Sequence, residues 1–256
     1  MLPNHGWIGC NRCYGSGPSQ RLIGSGPQPA WRIEGPNGAW GATEPLVVVL
    51  GFSRGSRQSR PLPYDERPFH GMRGPLTRIM QALSLLDSED HVGKHINANE
   101  KNFHFASLFR CSVSMYDPKK GDYSKSGGGI LEKFLQAVET REIAHNCTEN
   151  YVKNLPSRTR LVVLLGNSDK YVDGCKSLAE RLYPNVRWLN RVAYTDGSVT
   201  WVHCIHAAAQ GNHVPRWLSG GESAIGRKLR PAQEAVEQSG VIPLLRCRED
   251  SAHNSR

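Results

Sequence analysis

Two short apolar runs, LVVVL at residues 46–50 and LVVLL at residues 161–165, each end at a glycine. Continuous runs of this length are typical of strands that are buried on both faces of a sheet. Between them, apolar residues recur at helical spacing, as in Leu76, Ile79 and Met80. This alternation predicts an α/β protein with a three-layer α/β/α arrangement around a short, mostly parallel central sheet.

The chain of 256 residues is long enough for one sizeable α/β domain, and we expect a single domain over residues 1–256. Gly and Pro are frequent at residues 14–41, so residues 1–45 are expected to be irregular. The polar tail at residues 247–256 is expected to fray. Further strands are predicted at residues 103–109, 186–189 and 199–205, and helices after residues 75, 129 and 166.

The formal net charge of +9 indicates a polyanionic partner such as nucleic acid. Six arginines fall close together in the sequence: Arg54, Arg57, Arg60, Arg67, Arg73 and Arg78. A solvated basic loop is the alternative interpretation of this cluster. No run approaches the roughly 18 apolar residues of a membrane span, and the N-terminus does not resemble a signal peptide. We therefore expect a cytoplasmic protein without membrane contact.

The segment GFSRG at residues 51–55 is a literal G-x-S-x-G, the motif that presents the nucleophile of serine hydrolases. Ser53, Asp196 and His206 also follow one another in the order of a Ser-Asp-His triad. That motif, however, requires a helix directly behind the serine, and prolines at positions 61, 63 and 68 interrupt any helix there. A serine hydrolase is therefore kept only as a third alternative.

Seven cysteines without an export signal indicate metal ligands or reduced core thiols rather than disulfides. Cys10 and Cys13 form a C-x-x-C, Cys111 is predicted to end the strand that begins at residue 103, and Cys147 precedes the strand at 161–165. Four thiolates drawn from separate segments can hold an iron–sulfur cluster or a zinc ion. The other three are predicted to be small core residues: Cys175, Cys204 and Cys247.

Several motifs follow one another along the chain: CNRC at 10–13, LVVVLGFSRG at 46–55, RPFHGMRGPL at 67–76, FASLFRC at 105–111, Cys147, LVVLLG at 161–166 and WVHCIHAAA at 201–209. In this order they resemble the iron–sulfur-containing branch of the uracil-DNA glycosylase superfamily. The resemblance extends over about residues 10–218. It implies a monomeric enzyme of base excision repair that hydrolyses the N-glycosidic bond of uracil in DNA, with other deaminated or damaged bases as further substrates.

A base inside a duplex cannot be reached, so such an enzyme must flip the nucleotide into a pocket. The resemblance places Gly51, Phe52 and Ser53 in the first catalytic motif, where they line this pocket. It places Phe69 under the flipped base as a stacking platform, and the surrounding prolines and glycines favour an exposed ring face. Ser107 corresponds to the position that reads the edge of the uracil.

His206 corresponds to the catalytic histidine of the family, the donor that stabilises negative charge on the departing base. His203 is its rival, but strand alternation puts Cys204 and His206 on one face and His203 on the other. The resemblance also implies DNA contacts in the segment AQGNHVPR and in the basic cluster. These contacts are expected at Gln210, Asn212, His213, Arg216, Arg54 and Arg57.

The resemblance implies a structural [4Fe–4S] cluster on Cys10, Cys13, Cys111 and Cys147, with zinc as the alternative. The sequence departs from the family in two motifs. The first motif, GFSRG, has no carboxylate or amide to position water, and the usual His-Pro-Ser is replaced by HAA at 206–208. Two functions therefore stay open: a glycosylase that relies on leaving-group stabilisation, and a non-catalytic module that binds uracil or abasic sites in DNA.

Overall fold

The computed structural model describes residues 2–13, 20–25, 27–36, 38–55, 61–124 and 129–247. Over these ranges the chain is a mixed α/β structure with two sheets and seven α-helices. The predicted α/β class is therefore confirmed at this level.

The larger sheet contains eight strands in the described ranges. They are β1 (Gly6–Trp7), β4 (Gly38–Gly41), β5 (Val47–Ser53), β6 (Phe103–Phe109), β9 (Leu161–Leu165), β10 (Arg187–Asn190), β11 (Ala193–Thr195) and β12 (Thr200–Cys204). Their order in space is β1-β4-β6-β5-β9-β12-β11-β10. The four neighbours β6, β5, β9 and β12 are parallel, whereas the outer pairs are antiparallel. A mostly parallel sheet was thus the right prediction for the centre and not for the sheet as a whole.

The smaller sheet is antiparallel and has the order β2-β3-β7-β8, made of Gln20–Ile23, Trp31–Pro36, Cys111–Asp117 and Asp122–Ser124 respectively. The prediction that residues 1–45 are irregular is wrong, because this segment supplies β1 to β4. Trp31 and Ile33 alternate into the core from β3. Cys111 begins β7 and does not end β6, because the chain leaves one sheet at Arg110 and enters the other.

The α-helices are α1 (Arg73–Ala82), α2 (Ile130–Gln136), α3 (Val138–Tyr151), α4 (Asp169–Leu182), α5 (His213–Leu218), α6 (Leu229–Gln238) and α7 (Val241–Arg246). In α1, Pro75 lies in the first turn, where its missing N–H leaves no hydrogen bond unmade. The apolar residues Leu76, Ile79 and Met80 are all buried, as their helical spacing predicts.

Two clusters of buried apolar residues lie along the central strands. Alternate residues of β5 enter different clusters: Val47 and Val49 join the first, and Val48, Leu50 and Phe52 join the second. The first core cluster includes residues of α1, α5, α6 and α7, and the second includes residues of α2, α3 and α4. Because both faces of β5 are covered, its sequence is a continuous apolar run rather than an alternating one.

His95 joins two carboxylates in the segment between α1 and β6. Its Nε2 lies 2.6 Å from Oδ2 of Asp90, and its Nδ1 lies 2.8 Å from Oε2 of Glu100. Burial opposes ionisation of all three groups, but the hydrogen bonds between them outweigh it. They raise the pKa of His95 and lower the pKa values of Asp90 and Glu100.

Replacing His95 with glutamine should lower the free energy of unfolding by about 2 kcal/mol near pH 6, because two charge-assisted hydrogen bonds are weakened. A raised folded-state pKa means that the contribution is complete below the unfolded pKa of about 6.5 and disappears as the pH rises through the folded value. Urea unfolding near pH 6 and near pH 9 measures this difference. Equal destabilisation at both pH values would contradict the charged state of His95.

Candidate functional site

The residues expected to form a base pocket come from the carboxyl ends of the parallel strands. Gly51 and Ser53 end β5, Ser107 lies near the end of β6, and His206 follows β12 by two residues. Gly51 and Ser107 are partners in the strand register. The chain continues from β5 to β6 on one side, whereas it continues from β9 toward β12 on the other side, so the connections reverse direction between β5 and β9. At such a point open α/β sheets form a crevice.

These side chains belong to the side of the sheet that carries the first core cluster. Gly51 and Ser107 lie two residues beyond Val49 and Phe105, which both belong to that cluster, and successive residues of a strand alternate between faces. The loop with His206 packs on the same side, because its neighbours Ile205 and Ala207 are buried in that cluster too. The structure therefore brings Gly51, Ser107 and His206 to one edge and one side of the sheet.

Gly51 is buried, yet a Cβ atom built on it would meet no other atom within 4 Å. Open space therefore lies beside Gly51, on the side of the sheet that carries the first core cluster. Its backbone φ is not positive, so an L-residue is compatible with the local conformation. A larger residue should fit the fold and fill the space.

Gly51→Val should preserve thermal stability and reduce uracil release by about 10–200-fold, the range that the misfit of one or two methyl groups produces in a substrate pocket. Gly51→Ala is the matched, smaller change, and it should have an intermediate effect. Thermal unfolding and single-turnover base release on the three proteins measure the two properties separately. Normal release by the stable valine variant would show that no base enters this space.

Phe69 lies in a turn with a left-handed backbone, at φ 54°. Its side chain is only 5% exposed and packs against Phe105, with ring centroids 6.1 Å apart and an edge-to-face orientation. The prediction of an exposed ring face is therefore wrong. The turn directs the ring into the first core cluster, so Phe69 lies on the pocket side of the sheet but within its packed interior.

Phe52 does not line the pocket with its side chain, contrary to expectation. Its ring belongs to the second core cluster, where it packs edge-to-face on Phe109, Phe134 and Tyr171. The reason is the two-residue period of a strand, which puts Gly51 and Phe52 on opposite faces. Ser53 returns to the face of Gly51 and is half-buried.

His206 is half-buried and has a defined hydrogen-bond geometry at one ring nitrogen. The Ala208 N–H donates a hydrogen bond of 3.0 Å to Nδ1 of His206. A neutral imidazole that accepts at Nδ1 carries its proton on Nε2. The loop thus fixes the tautomer in which Nε2–H is a donor.

His203 has the opposite arrangement, as the alternation argument predicts for the other face. It is fully buried, and its Nδ1–H donates to the carbonyl oxygen of Gly166 at 2.8 Å. Burial lowers the pKa of His203 to about 4, despite this hydrogen bond. Its ring contacts Tyr171 and Tyr194 in the interior, so His203 is a neutral core residue.

The expected DNA-contacting loop is exposed. Gln210, Asn212, His213 and Arg216 all lie at the surface, in the turn before α5 and in its first two turns. Arg54 is half-buried beyond the end of β5. The sixth expected contact, Arg57, lies outside the described residues.

The structure separates the members of the possible serine-hydrolase triad. Asp196 lies before β12, where its Oδ1 accepts hydrogen bonds from the N–H groups of Ser198 and Val199, both at 2.8 Å. His206 lies beyond the other end of the same strand, and a strand of this length extends over roughly 16 Å. Ser53, Asp196 and His206 therefore do not form a triad.

The four cysteines expected to bind a metal border a single cavity. Cys10 and Cys13 come from the N-terminal segment, Cys111 from β7 and Cys147 from α3, and Tyr151 lies beside them. Within the described ranges, no three or more His, Cys, Asp or Glu side chains are arranged to hold a metal ion as they stand. The four cysteines, which come from three separate segments of the chain, therefore line the same cavity.

The surroundings of Arg110 indicate whether this cavity suits an anionic metal–thiolate group. Its side chain is 1% exposed, and its Nε and Nη1 find no hydrogen-bond partner among the described residues. The Arg110 N–H donates to Sγ of Cys147 at 3.3 Å, and the guanidinium lies 4.8 Å from the centroid of the Tyr151 ring. An unpaired buried charge costs several kcal/mol. A negatively charged cluster on the neighbouring thiolates would neutralise it, so the residues present fit the group.

Two thiols of the cavity, those of Cys13 and Cys147, have pKa values that their surroundings raise. Burial raises the pKa of Cys147 to about 12, against the opposing effect of the Arg110 N–H and charge. Burial and the neighbouring Cys10 also raise the pKa of Cys13. A metal bound here must displace thiol protons.

The remaining cysteines differ from one another. Cys175 and Cys204 are buried in the core, as predicted. Cys247 is exposed, so its assignment to the core is wrong: it follows α7 at the surface, where the polar tail begins.

Two features of the structure were not found by sequence reasoning. One is the complete burial of Arg110, which the sequence showed only as a basic residue before Cys111. The other is a cleft of about 770 Å³ that begins beside Ile205 and is lined by Trp188 and Arg191. The segment RWLN around Trp188 had predicted a strand and nothing more.

No known family model matches this chain, and no curated protein sequence matches it either. In the part of the chain that the structure describes, no helix has the length and apolar character required to cross a membrane.

Proposed function

We propose that this chain is a monofunctional DNA glycosylase that hydrolyses the N-glycosidic bond of uracil in DNA. One observation carries the proposal: a histidine whose Nε2–H is fixed as a donor, on the same side and edge of the sheet as the open space at Gly51 and the buried Ser107. The two core clusters beside parallel central strands also support the three-layer α/β/α arrangement that the resemblance implies.

In the proposed reaction the uracil enters the space beside Gly51, and Ser107 contacts its polar edge. The bond between C1′ of the sugar and N1 of the base breaks, and its electron pair stays on the base. His206 Nε2–H donates to the base oxygen as this negative charge develops. Water then forms a bond to C1′ and releases a proton. GFSRG contains no carboxylate to activate that water, so bond breaking precedes attack.

We also propose a [4Fe–4S] cluster on Cys10, Cys13, Cys111 and Cys147. When bound, it would join the N-terminal segment to β7 and α3 and take no part in bond cleavage. Arg110 supplies its counter-charge. Iron analysis and visible absorbance of anaerobically purified protein test the assignment. A colourless protein that contains stoichiometric zinc would overturn it.

DNA binding is assigned to the exposed loop before α5 and to Arg54 after β5. Asn212, His213 and Arg216 would contact the strand where the base has left the helix, and Arg54 would contact a phosphate. Phosphate contacts release condensed counter-ions, so affinity should fall steeply with salt.

The absence of a carboxylate from GFSRG favours a second candidate, a non-catalytic module that binds uracil or abasic sites in DNA. The two functions differ in one experiment with matched oligonucleotides that contain thymine, uracil or an abasic site. The glycosylase releases uracil and leaves an alkali-labile site. The binding module retains the abasic oligonucleotide tightly and releases no base.

A further inference from the structure

The cleft of about 770 Å³ is a site that the proposed reaction does not use. It opens at the carboxyl ends of β9 and β12, next to the loop that carries His206, and is bordered by Asn167 and Ile205 there. From His213 at the start of α5 it extends to Trp188 in the edge strand β10. Its volume is within the range of sites that hold a nucleotide-sized ligand.

Trp188 gives the cleft an aromatic surface. The side chain lines the cleft and remains 45% exposed. Lys176 Nζ lies 4.9 Å from the ring centroid over one face, and Tyr194 packs in a T-shaped arrangement. These contacts hold the indole in place, and nearly half of its surface stays exposed in the cleft. A fixed, exposed aromatic ring is a platform on which an unpaired base can stack.

Two guanidinium groups lie along the same cleft. Arg191 Nη2 donates to the carbonyl oxygen of Arg227 at 2.5 Å, which joins the two residues. Arg227 also pairs with Glu222 at 3.3 Å, but that carboxylate is 98% exposed, and an ion pair in water contributes little. Both arginines are therefore available to a phosphate.

Carboxylates in the cleft only partly offset this charge. The lining contains three basic side chains, Arg191, Arg227 and Lys228, and two carboxylates, Asp169 and Asp173. Asp169 pairs with Lys228 at 2.5 Å. An aromatic platform beside excess positive charge is the combination that binds single-stranded nucleic acid. A duplex does not offer a base face to Trp188, because its bases are stacked on one another.

We propose that this cleft binds an unpaired segment of DNA next to the lesion nucleotide, with one base stacked on Trp188 and its phosphates on Arg191 and Arg227. This inference deepens the proposed function and rests on it for the identity of the strand. It makes single-stranded DNA the preferred substrate form.

The test is binding of a fluorescent, uracil-free oligothymidylate of about 12 nucleotides, within the usual site sizes for single strands. Trp188→Ala should weaken binding about tenfold, which corresponds to about 1.4 kcal/mol, and Trp188→Phe should restore most of it. Arg191→Ala should reduce the slope of log K against log salt concentration by about 0.7, the contribution of one phosphate of a single strand.

Arg160→Ala is the matched control for charge. Arg160 directly precedes β9, at the amino ends of the parallel strands, whereas the cleft opens at their carboxyl ends. This substitution should change neither affinity nor slope. If Trp188→Ala bound the oligothymidylate with wild-type affinity, the cleft assignment would be overturned. It would also be overturned if Arg160→Ala lost as much affinity as Trp188→Ala. Because the probe contains no uracil, the two proposals fail separately. A protein that binds it through Trp188 but releases no uracil would overturn the glycosylase and leave the cleft standing.

Discussion

Replacing His206 with alanine should slow uracil release in a single turnover by about 100–1,000-fold, with little effect on the affinity for DNA. The loss corresponds to about 2.7–4 kcal/mol, the usual effect of removing one preorganised donor from a developing anion. The donor is preorganised because the Ala208 N–H occupies Nδ1 and leaves the proton on Nε2. The base is uncharged before the bond breaks, so binding of the substrate depends on this donor much less than the rate does.

Two variants separate this role from damage to the fold. His206→Gln keeps an N–H donor on a side chain of similar reach and should retain more activity than the alanine variant. His203→Gln alters a buried core residue and should lower the thermal unfolding temperature while keeping the rate of base release. Equal rates for wild type and His206→Ala would remove His206 from the chemistry.

Replacing Cys147 with alanine should abolish iron binding and lower the melting temperature by about 10 °C. Loss of a metal centre is among the largest single-residue effects, and we expect about 4 kcal/mol. A change of 1 kcal/mol moves the melting temperature of a domain of this size by about 2–4 °C. The loss also leaves Arg110 without a counter-charge in the interior.

The other cysteines provide matched controls for this variant. Cys175→Ala removes a buried thiol away from the cavity, so it should cost stability and leave the iron content unchanged. Cys247→Ala changes an exposed thiol and should alter neither property. If Cys147→Ala retained stoichiometric iron, the cluster would not be bound by these four residues.

The central strands were predictable because both of their faces are buried. LVVVL and LVVLL contain nothing but Leu and Val, and only a strand covered on both sides accommodates such a run. The N-terminal strands were not predictable in the same way. β2 and β3 pair within a glycine- and proline-rich segment, and β3 is held by β7, nearly 80 residues later in the chain. β11 is only Ala193–Thr195 and shows no periodicity of its own.

The position of the candidate residues in the fold was predictable in part from the order of the strands. The ends of parallel strands meet at one edge, so the order of the motifs was enough to associate Gly51, Ser107 and His206. The face of the sheet on which each side chain lies was predicted less well. Side chains alternate between the faces of a strand, which puts His203 and His206 on opposite faces. The same alternation excludes the Phe52 ring from the pocket side of Gly51. The burial of Phe69 and Arg110 depends on long-range packing, which a single sequence does not show.

The glycosylase function is tested by alkali-induced cleavage of an end-labelled oligonucleotide with one uracil, incubated with excess wild-type protein. We expect cleavage at the uracil alone, with no strand break before alkali, since a monofunctional enzyme leaves the abasic site intact. The thymine-containing oligonucleotide of the same sequence should stay uncut. Absence of alkali-labile sites, with protein that shifts the abasic oligonucleotide in a gel, would contradict a glycosylase and leave a damage-binding protein.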